Sequence, residues 1–147
     1  MLDANDKQSL RLVAWKEARG DGLSACNLVM HVCLNRVGKP GFANNLHDVI
    51  YGKNQFTSMS VPTDPEFNLD PESLKTKDSA SYAVWQGTQY LVDNIEGDDD
   101  ATKGALYYQN PKTADSGWFA RNIGGPDGKG LPNHPLLLMY GHHSFYA

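Results

Sequence analysis

Two apolar stripes of helical period, set only a few residues apart, constrain this chain more than any other feature. Leu10, Val13, Ala14, Glu17 and Ala18 recur at i, i+3, i+4, i+7 and i+8, a spacing that predicts a helix over residues 9–19. Ala25, Leu28, Val29, Val32 and Cys33 repeat the pattern over 24–37, with Arg36 in the last turn and Gly38 as the stop. Gly20 and Gly22 break the chain between them. The two helices must therefore fold back on one another and share a core.

Further along, 45–51 reads as a brief third helix ended by Gly52, and 54–65 as an irregular, Pro-bearing loop. Asp70-Pro71 reads as a helix start, with Ala80, Ala83, Val84, Gly87, Leu91 and Ile95 on one face and an end near Asn94. The run Gly97-Asp98-Asp99-Asp100 reads as a solvated loop; calcium is the sharper alternative, but the EF-hand ligand order is missing. Alternation around Leu106, Tyr107 and Tyr108 favours a strand over 104–110, and a second candidate strand covers 141–146. The apolar run 136–140 reads as a buried strand or a turn of helix, and the Gly- and Pro-rich stretch 124–135 as a mobile insertion.

At 147 residues and 40% hydrophobic content the chain suits one domain over 1–147, able to bury roughly 70% of the surface of the open chain without metal or disulfide. Thirteen basic against seventeen acidic side chains give a net charge of −4, so no broad footprint for nucleic acid or an anionic membrane is expected. The first six residues carry two acids and no apolar run, which predicts neither a secretion signal nor stable membrane insertion. Cys26 and Cys33, seven residues apart on one helix, are separated by about 10 Å of rise. That is beyond disulfide reach, so reduced core thiols in a reducing cytoplasm are expected.

Glu17 is the most informative position, because a carboxylate occupies a place on the apolar stripe where a core residue belongs. It falls in the last helical turn, where the negative end of the helix dipole and partial burial both disfavour the charged form, as a general acid requires. The plainer alternative is that Glu17 pairs with Lys16 or Arg19. Asp21, four residues on, is a candidate second acid if the helix continues; Gly20 argues against that, and a helix N-cap or turn role is the alternative. Tyr107, Tyr108, Trp118 and Phe119 flank the polar run 109–112. Such a mixture can line a sugar groove or simply pack as a tyrosine-rich strand. His142 and His143 would point to opposite faces of a strand and could not chelate one ion together. With no HExxH or paired-cysteine pattern, no GxSxG and no phosphate loop, neither metal nor cofactor is expected.

Specific segments bear a family resemblance. Residues 13–20 (VAWKEARG) followed by 32–37 (VCLNRV) resemble the "EARG…LNRV" signature of the SleB-type cell wall hydrolases, the spore-cortex-lytic enzymes and their phage relatives. Gln55-Phe56-Thr57, 104–111 (GALYYQNP) and 141–145 (GHHSF) are similar, in order, to that family's "QFS", "GALYFxNP" and "GNHxF". The resemblance implies a lysozyme-like α+β fold, mainly helical with a small antiparallel β-sheet. It implies cleavage of peptidoglycan glycan strands between N-acetylmuramic acid and N-acetylglucosamine, as a lytic transglycosylase with Glu17 as general acid. By the same resemblance Gln55, Phe56, Tyr108, Asn110 and His143 line the sugar groove. Asp21 stands where the family commonly has Glu, and His142 where it has Asn. A lysozyme that hydrolyses the same bond, a zinc amidase, and a non-catalytic glycan-binding or phage structural protein are the rival readings. The expected setting is phage host lysis by a monomer held in the cytoplasm until a holin-type lesion releases it to the wall.

Overall fold

The computed structural model describes residues 1–109 and 116–147. Helix α1 spans Ala4–Ala18, starting five residues before the expected start at residue 9. The reason is local: Asp3 accepts the Asp6 amide (2.8 Å) while the Asp6 carboxylate accepts the Asp3 amide (3.1 Å). This reciprocal cap satisfies two orphan donors and sets an acid at the positive end of the helix. Leu10, Val13, Ala14 and Ala18 are buried as the stripe requires, and Trp15 and Lys16 are buried beside them.

After one tight helical turn over Arg19–Asp21, α2 spans Leu23–Arg36 and is buried on nearly every face. It is the central helix, with α1, α3 (Leu46–Tyr51) and α5 (Ser79–Asn94) packed around it. Its Cys26 and Cys33 are free and buried, and burial pushes both thiols up to about 12. The stretch expected as an unbroken loop holds a short helix, α4 (Thr57–Ser60). The Asp70-Pro71 start makes only a single turn, Pro71–Leu74. A second cap, Asp78 accepting the Ser81 amide, begins α5. Its buried positions are Trp85, Thr88 and Val92; of the expected stripe, Val84 and Leu91 pack against the core and Ile95 just past the helix is buried, whereas Ala80 and Ala83 are exposed. The large ring decides the rotation: Trp85 packs edge-on against Trp15, centroids 6.1 Å apart.

Three antiparallel strands follow, β1 (Tyr107–Gln109), β2 (Leu136–Tyr140) and β3 (His143–Tyr146), in the order β1-β3-β2. Phe145 on the central strand packs with Ala105 against Leu28 and Val32 of α2, so α2 separates the helical core from the sheet. Residues 141–146 are therefore not one strand. Gly141 (φ 55°) and His142 form the two-residue hairpin loop joining β2 to β3, with glycine where a positive φ is needed. The stretch 124–135, expected as a mobile insertion, is tied down: Gly130 and Leu131 donate to Gly124 and Ile123 (2.7 and 2.9 Å), and Tyr146 Oη donates to the Gly128 carbonyl (2.8 Å). The acidic run at 97–100 is exposed over Gly97, Asp98 and Asp99, as a solvated loop should be, but not at its last residue. Asp100 turns inward and accepts from Asn35 Nδ2 (2.8 Å) and from the amides of Thr102 (2.8 Å) and Gly104 (2.9 Å). Among the described residues no helix is long and apolar enough to cross a membrane.

Candidate active site

A cleft of about 870 Å³ opens where the end of α1 meets α4, β1 and the β2–β3 hairpin. Glu17, in the last turn of α1, is half-buried in its wall. Its Oε1 accepts the Tyr108 hydroxyl at 2.6 Å and its Oε2 accepts the Ser58 hydroxyl at 3.0 Å. Neither neighbouring cation pairs with it. Arg19 forms an ion pair with Glu66 and lies over the Trp15 ring. Lys16 Nζ donates to the carbonyls of Ser58 (3.1 Å) and Phe67 (3.0 Å), and burial, only partly offset by Glu66 and Asp64, holds its ammonium below the usual lysine range. The pairing alternative for Glu17 is thus replaced by two neutral hydroxyl donors.

The end of α2 places Tyr108. Asn35 Nδ2 donates to the Ala105 carbonyl (3.1 Å) and Arg36 Nε to the Leu106 carbonyl (2.7 Å), which fixes the approach of β1. Strand alternation then sends Tyr108 toward Glu17 and Tyr107 the other way, where Tyr107 packs on Phe42 and His134. Tyr107 therefore drops out of the aromatic set proposed for the groove. Burial first, then the charge of Glu17 and the hydrogen bond to it, raises the Tyr108 phenol well above its ordinary value. It stays protonated and donates.

Gln55, Phe56, Tyr108, His143 and Asp21 line the same cleft as Glu17; Asn110 lies outside the described residues. Phe56 is only 4% exposed and belongs to the core, so it forms the floor of the cleft, with Arg36 over its ring at 5.2 Å. Asp21 is neither a continuation of α1 nor the cap of α2, since Gly22 holds the N-cap position. Its carboxylate crosses to the hairpin and accepts the His142 amide (3.0 Å), His142 Nδ1 (2.7 Å) and His143 Nδ1 (2.7 Å). Burial works to raise Asp21, but these hydrogen bonds outweigh it and hold the carboxyl below its usual range. The expectation that the two histidines diverge fails because His142 sits in the hairpin loop, free of strand alternation. Among the described residues no group of three or more His, Cys, Asp or Glu is placed to hold a metal ion.

The sequence pattern singles out neither Lys16 nor Arg36 as a cleft residue, nor Ser58 as the second donor to Glu17; Gln109, from the polar run expected in the groove, does line the cleft. Ser58 carries no pattern of its own and meets Glu17 only because α4 packs on α1. Trp118 and Phe119 do reach the cleft, and Trp118 leaves 60% of its surface to solvent at the wall. An exposed indole beside amides and hydroxyls can stack a sugar ring.

The sequence profile of the Cell Wall Hydrolase family matches residues 20–125, a span that begins just after Glu17. The spore cortex-lytic enzyme of Halalkalibacterium halodurans is 33% identical over 115 residues, covering 78% of this chain and 30% of that protein. The Bacillus subtilis spore cortex-lytic enzyme is 32% identical over the same length, covering 78% and 32%. The chain thus spans about a third of the length of these curated relatives. Two solved structures are similar over nearly the whole chain. The catalytic domain of the germination-specific lytic transglycosylase SleB from Bacillus anthracis has a TM-score of 0.67 at 27% identity, covering 99% of this chain and 97% of that one. The catalytic domain of the Bacillus cereus SleB protein has a TM-score of 0.64 at 25% identity, covering 100% and 93%.

Proposed function

Because the chain belongs to the cell wall hydrolase family, we propose that it cleaves the glycan strand of peptidoglycan between N-acetylmuramic acid and N-acetylglucosamine, with Glu17 as the acid and then the base. The observation that carries this reading is the setting of Glu17: a half-buried carboxyl on the cleft wall, held by the Tyr108 and Ser58 hydroxyls and, among the described residues, by no cation. Two neutral donors fix the direction of the carboxyl on the cleft wall.

The steps balance without water. Protonated Glu17 gives its proton to the bridging oxygen, the bond from that oxygen to the muramyl anomeric carbon breaks, and an oxocarbenium-like centre develops. The muramyl 6-hydroxyl attacks that carbon and its proton passes to the Glu17 carboxylate. The products are a free 4-hydroxyl on N-acetylglucosamine and a 1,6-anhydro muramyl end. This outcome is favoured over hydrolysis because Asp21, the other acid lining the cleft among the described residues, has both oxygens engaged by the hairpin histidines, so it is not free to act as nucleophile or to activate water. The similar Bacillus anthracis protein is itself described as a lytic transglycosylase.

Mass spectrometry of muropeptides released from purified peptidoglycan tests the reading. Anhydro-ended products, lighter by one water than the hydrolysed ones, are expected. Glu17→Gln should lower their rate of release by about 10²- to 10⁴-fold. Products with ordinary reducing ends would make the protein a lysozyme, and an undiminished rate in Glu17→Gln would remove Glu17 from the mechanism.

A further inference from the structure

We propose that Asp21 is a positioning residue acting through His143, fixing that imidazole with Nδ1 protonated and Nε2 bare toward the cleft, where it accepts a hydroxyl hydrogen of the bound saccharide. The role given to His143 rests on the glycan-cleavage reading; the contact between Asp21 and His143 does not.

The geometry leaves Asp21 little freedom. It stands on the single turn between α1 and α2, and only 8% of its side chain is exposed. Oδ1 accepts His142 Nδ1, and Oδ2 accepts both His143 Nδ1 and the His142 amide. The hairpin loop is built around it: a Cβ on Gly141 would lie 2.7 Å from Asp21 Cγ, closer than any side chain could settle. No mobile side chain separates carboxylate from loop backbone, so the acid and the histidines hold each other in register.

The chemical consequence follows from the imidazole's two nitrogens. A neutral ring has one donor and one acceptor, and a partner that only accepts selects the nitrogen that carries the proton. Asp21 is such a partner, so Nδ1 donates and Nε2 is left as the acceptor. His143 lines the cleft, and its ring centroid lies 5.6 Å from that of Tyr108, whose hydroxyl holds Glu17. The oriented Nε2 thus belongs to the wall that holds the acid. A sugar hydroxyl that donates to it is aligned without losing its proton, which still passes to Glu17. In the opposite tautomer Nε2 would donate, and the same hydroxyl would be turned away.

Two measurements on the full chain test this. Long-range proton–nitrogen correlation NMR at pH 8, where an ordinary imidazole is neutral, reads the tautomer without any turnover. His143 is expected with Nδ1 protonated and Nε2 bare, and Asp21→Ala should move the proton toward Nε2; Asp21→Asn, of equal volume, serves if the alanine variant unfolds. Kinetically, Asp21→Asn should lower kcat about 10- to 100-fold with KM within about threefold, a split that merely structural damage would not give. Asp21→Asn combined with His143→Gln should be no slower than His143→Gln alone. An Nε2-protonated His143 in the unaltered protein overturns the proposal, as do multiplied losses in the double variant or a loss of thermal stability with kcat per folded molecule unchanged. An inactive unaltered protein with the expected tautomer would instead count against the glycan-cleavage reading.

Discussion

Tyr108→Phe is the most direct probe of how Glu17 is held. The substitution removes one oxygen and leaves the ring, whose packing on His143 and Phe145 (centroids 5.6 and 5.7 Å apart) does not involve the hydroxyl. What disappears is the 2.6 Å donor to Glu17 Oε1, leaving Ser58 as the carboxylate's remaining donor among the described residues. A hydrogen bond to a charged group contributes about 1.5–3 kcal/mol. If that fixation is needed in the transition state, kcat should fall by roughly 10- to 150-fold at about 1.4 kcal/mol per decade. KM should stay within about threefold, because the wall and floor of the cleft are unchanged. The assay is chromatographic release of muropeptides from purified peptidoglycan, with thermal unfolding measured on the same preparation. A kcat within twofold of the unaltered protein would refute the idea that this hydroxyl keeps the carboxylate in its reacting position.

Two further outcomes are expected. Trp118→Ala, removing the exposed indole at the cleft wall, should raise KM about 3- to 10-fold through lost stacking with the melting temperature unchanged; an unaltered KM would exclude the indole as a sugar platform. Cys26 and Cys33, free, buried and pushed up to about 12, should resist iodoacetamide at pH 8 in the folded protein and both react once it is unfolded, and alkylation of either thiol without unfolding would contradict their placement.

The helical hairpin at the start of the chain was legible because it depends on local periodicity. Leu10, Val13 and Ala14 repeat at the helical period and are wholly buried. Glu17 stood out for the same reason, as the one acid on that stripe, and it lines the cleft. Elsewhere the same rule failed where bulk competed with period. In α5 the expected face holds at Val84, Leu91 and Ile95, but its first turn, Ala80 and Ala83, is exposed while Trp85 is buried, since burying an indole gains far more apolar area than burying two alanines. Caps explain the errors at helix ends: Asp3 lengthened α1 and Asp78 restarted α5, each through a side-chain bond that a hydrophobic pattern does not register.

The partners of Glu17 belong to another class of information. Ser58 is 41 residues from it and Tyr108 is 91, and no spacing rule connects positions so far apart. Likewise Asp21 meets the histidines only across 121 and 122 residues, once the hairpin loop has placed both rings on one carboxylate. That Glu17 is the one acid on the apolar stripe, and that the chain begins as two packed helices, follow from short-range order alone. Whether that acid is paired, who holds it, and whether a second carboxylate is free are decided by the packing of α4, β1 and the β2–β3 hairpin against α1. The reason is physical: helix period and capping act within a few residues, whereas hydrogen-bond partners at a cleft are chosen by contacts that exist only after the chain has closed.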